Sequence, residues 1–96
     1  MNQPFRVDHF KASSVFIKAL RRLPKKDRDR VQSSLHKATV DLADPTLRFH
    51  RLKGPVAGVV SIDAGGDLRI HCRIRQEDQL TWAYLVAVGT HSQLYG

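Results

Sequence analysis

Two histidines, His50 and His91, share this chain with Asp67, Arg69 and Arg73. Residues of these types can cleave a phosphodiester without metal when the substrate brings its own nucleophile, as RNA does in its 2′-hydroxyl. One imidazole takes the hydroxyl proton and a second protonates the departing 5′-oxygen, while guanidinium groups neutralise the phosphate. His91 lies in the closing stretch Gly89-Thr90-His91-Ser92-Gln93-Leu94-Tyr95-Gly96, with an aromatic ring four residues behind it. The apolar run 80–88 before it reads as a buried strand, and Gly89 lets the backbone turn away from that strand. Leu94 and Tyr95 could equally pin the C-terminus to the core, leaving His91 incidental. Asp67 could orient an imidazole or assist as base, or it could simply close the turn after Gly65-Gly66.

A metal centre is not expected. His71 and Cys72 are adjacent on a strand and point to opposite faces. The sequence has no HExxH or CxxC spacing and no carboxylate cluster suited to a pair of magnesium ions. No cofactor is expected either.

The elements that must position these groups form one domain over 1–96. Residues 4–9 alternate loosely through Phe5 and Val7, as a short N-terminal edge strand begun by Pro4 would. From Ser13 the period becomes helical. Phe16, Leu20 and Leu23 form a stripe flanked by Ile17 and Ala19, capped by Ser13 or Ser14. Leu23-Pro24 breaks this helix and Pro24 opens a second, running to about Ala43 with Val31, Leu35, Ala38 and Leu42 on one side. Asp44-Pro45 ends it. Strands follow over 48–52, 58–63, 68–76 and 80–88, with turns at Lys53-Gly54-Pro55, Ala64-Gly65-Gly66 and Glu77-Asp78. The pattern predicts an α+β fold in which an N-terminal helix hairpin covers one face of a small antiparallel sheet.

In strand 68–76, Leu68, Ile70, Cys72 and Ile74 face one way and Arg69, His71, Arg73 and Arg75 the other. A wet sheet face normally mixes charge signs; this one is nearly all basic, which suits phosphate oxygens. Arg21, Arg22, Lys25, Lys26, Arg28 and Arg30 crowd the helix junction, where helix stability does not call for them. The formal net charge is +7 and the pI about 10.2, implying an anionic partner, nucleic acid or acidic protein. A single cysteine suits a reducing compartment, and neither a signal peptide nor a membrane span is evident, so a cytoplasmic protein without membrane contact is expected.

Asp44-Pro45, Phe49-His50-Arg51-Leu52-Lys53-Gly54, Asp67-Leu68-Arg69-Ile70 and Val88-Gly89-Thr90-His91-Ser92-Gln93-Leu94-Tyr95, all after a basic helix hairpin, resemble the RelE/ParE superfamily of bacterial toxins. The resemblance spans essentially the whole chain and is greatest to the YafQ-type branch, with its closing Gly-Thr-His-Ser-x-Leu-aromatic signature. It implies a ribosome-dependent messenger-RNA endonuclease held inactive by a cognate antitoxin, in a possible heterotetramer. By position His50, Asp67, His91 and Tyr95 match the branch's site residues. The chain departs from the pattern at Asp63, where the branch usually has a histidine. A negative charge then stands near the phosphate path, and His71 on the neighbouring strand is the candidate to compensate.

The expected assignment is therefore His50 as general base, His91 as general acid, Asp67 orienting or tuning them, and Tyr95 stacking on a base or positioning the strand. The two imidazoles could exchange roles. Arg69, Arg73, His71 and Lys53 would bind RNA and its phosphate. Two other functions use the same scaffold: a ParE-like inhibitor of DNA gyrase, and a non-catalytic module that holds RNA or an antitoxin.

Overall fold

In the computed structural model, which describes residues 5–54 and 58–95, a five-stranded sheet runs in the order β1-β5-β4-β3-β2. The strands are β1 (His9–Ala12), β2 (His50–Arg51), β3 (Val60–Asp63), β4 (Leu68–Glu77) and β5 (Leu80–Thr90). The helices are α1 (Ser14–Arg22), α2 (Lys25–Val40) and a short α3 (His91–Tyr95). α1 and α2 pack on one face. Phe16, Val31, Ala38 and Leu42 from that layer meet Ile62, Ile70, Cys72, Ala83 and Leu85 of the sheet in one buried cluster. None of the described helices is long and apolar enough to cross a membrane.

Ser13 ends the doubt over the first cap. Its Oγ accepts from Phe16 N at 3.0 Å and donates to the Val86 carbonyl at 3.3 Å. The same residue thus starts α1 and ties it to β5. Ile17 does not join the core stripe; it is exposed. Of the crowded basic residues, Lys25 lies 2.8 Å from Asp29 and Arg30 3.6 Å from Asp27, while Arg28 donates to the Leu23 carbonyl.

Several boundaries differ from the sequence reading. The edge strand begins only at His9, and it pairs parallel to β5, so the sheet is mixed. Residues ahead of it serve α2 instead: Val7 N donates to the Ala38 carbonyl at 2.9 Å, filling one of the acceptors a helix end leaves open. Pro4 lies outside the described residues, as does Pro55 of the expected turn. α2 stops at Val40, before Asp44-Pro45. Asp44 instead caps the 3-10 turn Pro45–Leu47, accepting from Thr46 Oγ1 and N, and these bonds hold its carboxyl below the usual range. β2 is only two residues long.

The largest departure is in β5. His71 pairs with Ala87 but Cys72 with Leu85, so Val86 is an extra residue bulged from the ladder. Before it Thr81, Ala83 and Leu85 are buried; after it Val88 is. The inward phase therefore switches along the strand. The expected uniformly buried run is a two-sided strand, with Trp82 and Tyr84 on the face away from the helices.

Candidate active site

The open face of the sheet carries a row of side chains across three strands. Ser61 of β3 is the register partner of His50 on β2 and of His71 on β4. Above this row sits α3, and between them lies a cleft of about 680 Å³. His50, Lys53, Ser61, Arg69, His91 and Tyr95 line it, with Leu52 and Leu94. Sequence-distant candidates thus share one pocket. Three others do not line it: Arg73, Asp67, and His71, whose ring is bonded to the Tyr95 hydroxyl. The Arg73 guanidinium reaches instead to Gly58, where a Cβ would lie 3.0 Å from Nη1. Asp67 is exposed in the β3–β4 turn and contributes its carbonyl, which accepts from His91 N at 3.2 Å.

His50 Nδ1 lies 2.6 Å from the Arg48 carbonyl. A carbonyl only accepts, so Nδ1 carries a proton and Nε2 is the nitrogen left to face the cleft. Arg48 adopts a left-handed conformation, φ 42°, at the end of the 3-10 turn.

The closing segment is a helix, not a tail. Thr90 N donates to Gln93 Oε1 at 2.8 Å and Gln93 N to Thr90 Oγ1 at 3.3 Å, a reciprocal capping box. This sets His91 and Tyr95 one turn apart on the same side, their ring centroids 4.5 Å from each other. His71 Nε2 is 2.8 Å from the Tyr95 hydroxyl; the ring tautomer decides which of the two donates. His71 is 6% exposed. Burial, with the nearby His50 adding to it, lowers the pKa of this imidazole and favours its neutral form. Its part in this geometry is to anchor Tyr95 from below. Burial pushes the neighbouring Cys72 thiol up to about 12, so that sulfur is inert.

Gly89 is needed here for its missing side chain rather than for a turn. A Cβ would lie 2.8 Å from Gln93 Oε1. Gly89→Ala should swing Gln93 off the Thr90 amide, a cap loss of about 0.5–2 kcal/mol concentrated in α3. The check is amide exchange: residues of α3 should lose protection while β4 keeps it.

Asp63 does not stand free in the cleft. Its carboxylate is 2.6 Å from Arg69 Nη1 and 3.7 Å from Arg48 Nε. Arg69 Nη1 also donates to the Gly66 and Leu68 carbonyls, so the guanidinium is held in one orientation at the cleft wall. One carboxylate between two guanidinium groups leaves the wall positive.

Sequence reading missed two features. Trp82 and Tyr84 form an aromatic strip beside the cleft face, 6.2 Å apart, with His9 against Trp82 and Arg75 over Tyr84. The alternation of small inward residues with these rings was the signal. Ser61 was the other, and nothing in its neighbourhood marked it.

No family model matches the chain, and no curated protein does. Solved structures match it along nearly its full length. YafQ from E. coli strain BL21(DE3) superposes with a TM-score of 0.65 at 17% identity, over 95% of this chain and 100% of that one. The toxin-antitoxin complex RelBE2 from Mycobacterium tuberculosis gives 0.66 at 17%, over 96% and 97%. The E. coli DinJ-YafQ toxin-antitoxin complex gives 0.62 at 20%, over 95% and 99%. The chain shares the fold of these structures. YafQ stands among its structural neighbours, in keeping with the resemblance read from the sequence.

Proposed function

We propose that this protein is the toxin of a type II toxin–antitoxin pair and acts as a metal-independent endoribonuclease on messenger RNA at the ribosome. The observation that carries the reading is the meeting of His50 and His91 in one cleft with Lys53 and Arg69. His50 Nε2 takes the proton of a ribose 2′-hydroxyl, whose oxygen attacks the adjacent phosphorus. His91 donates a proton to the departing 5′-oxygen, and the bond to it breaks. Lys53 and Arg69 stabilise the charge gathering on the phosphate oxygens. The products are a 2′,3′-cyclic phosphate and a 5′-hydroxyl.

Tyr95 stacks on a base or steers the strand, with its hydroxyl anchored to His71. Asp67 orients His91 through its carbonyl, and Arg73 binds phosphate outside the cleft. An antitoxin partner is supported by the toxin–antitoxin complexes among the structural neighbours. The protein acts in the cytoplasm, where its message and antitoxin are made.

The test is to add the purified protein to ribosomes translating a defined message and to map both ends at each cut. Cyclic phosphate and 5′-hydroxyl ends are expected. Intact message alongside blocked gyrase supercoiling would transfer the protein to the ParE-like reading. Intact message with gyrase unaffected would leave a binding module.

A further inference from the structure

Ser61 occupies the middle of the row described above, with His50 to one side and His71 to the other. It is 1% exposed and lines the cleft. Among the described residues its Oγ is the one buried side-chain polar atom without a hydrogen-bond partner. Buried hydroxyls are almost always paired, because an unpaired one costs free energy that the folded chain does not recover. Each neighbouring ring has one nitrogen engaged elsewhere, His50 Nδ1 with the Arg48 carbonyl and His71 Nε2 with the Tyr95 hydroxyl, and neither bonds Ser61.

The chemistry of the group narrows its ligand. A serine hydroxyl is neutral, donates once and accepts twice, so it reads a directional polar atom and not a charge. Charge is already answered in this cleft by Lys53 and Arg69. The polar atom nearest Ser61 is whichever one His50 engages, since the two are register partners. On the RNA-cleaving reading, which this inference rests on, that atom is the ribose 2′-oxygen. Its hydrogen points to His50 Nε2 and its lone pair remains for Ser61.

We infer that Ser61 reads the ribose 2′-hydroxyl and is the residue by which this cleft prefers RNA to DNA. A deoxyribose strand leaves the Ser61 hydroxyl unpaired, and sites built to bond a hydroxyl reject analogues that lack it.

The experiment compares Ser61 with Ser61→Ala, both in a His91→Ala background that keeps RNA intact. Thermal melting is recorded without ligand, and binding of a short oligoribonucleotide and its all-deoxy counterpart is titrated. Ser61→Ala should melt at the same temperature or higher, because it removes an unpaired buried hydroxyl. It should bind the ribonucleotide about tenfold more weakly and the deoxy strand unchanged, the size of one good hydrogen bond. A lower melting temperature would mean the hydroxyl is bonded within the folded protein, and would overturn the inference. An unchanged preference for ribose would overturn it too, as would equal weakening of both strands, which points to a phosphate oxygen. A parent protein with no ribose preference has the same consequence. None of these results touches the nuclease reading, which stands on the ends produced by the wild-type protein. Equally, a wild type that cuts no message but shows the Ser61-dependent preference keeps this inference and loses the catalysis.

Discussion

His91→Ala should lower message cleavage by about two to four orders of magnitude, the usual effect of losing a general acid, while the protein melts as before. The fold has little stake in this side chain. The imidazole is exposed at the start of α3, and the bond to the Asp67 carbonyl uses the backbone N–H, which alanine keeps. Alanine is also a good helix residue. What disappears is the ring against Tyr95 and, in the proposed reaction, the donor to the leaving oxygen. Initial rates of cleavage, measured beside circular dichroism and melting, check this. Wild-type cutting by a folded variant would take His91 out of the mechanism.

His50→Ala should produce a loss of similar size with a different pH signature. In the proposed reaction the base must be neutral, so it governs the acid limb of the rate profile, and the acid His91 governs the alkaline limb. Removing His50 should flatten the acid limb and leave the alkaline one. If instead the alkaline limb flattens, the two imidazoles have exchanged roles. If both limbs persist at the wild-type rate, His50 has no part in catalysis. The side chain lies exposed on the edge strand, and its described polar contact is the bond from Nδ1 to the Arg48 carbonyl. Stability should therefore change little. The double variant should fall scarcely further than either single one, because groups serving one proton-transfer sequence act as a unit.

Asp63 shows why matching a motif residue by residue is an incomplete guide. Taken as a letter, it replaces a donor by a negative charge. In the fold that charge is engaged by Arg69 and Arg48, and it orients the guanidinium that lines the cleft. The consequence of the substitution depended on two arginines from other elements: Arg69, its register partner on β4, and Arg48 at the end of the 3-10 turn.

Much of the scaffold was legible because its causes are local. The stripe of Phe16, Leu20 and Leu23, the Ser13 cap, the Gly65-Gly66 turn and the alternation from Leu68 to Ile74 each follow from neighbours a few residues away. The sequence reading gave no helix at α3: Thr90 and Gln93 have capping-box spacing, but a five-residue helix has no stability of its own. Its formation depends on the Asp67 carbonyl and on the His71 anchor for Tyr95, both from β4 and its turn.

By itself the sequence determined the kinds of chemistry present and the periodicity that builds each element: imidazoles, a basic sheet face, a helix pair with one apolar side. Only the tertiary structure decided which strand edge β1 would join, where β5 would bulge to change its buried face, and which imidazole would become an anchor. It also decided that a hydroxyl with no distinguishing neighbours would end in the floor of the cleft. The physical reason is range. Propensities, caps and turns act over a few bonds of chain, whereas registers and clefts are set by side chains that come together only when the whole core is buried.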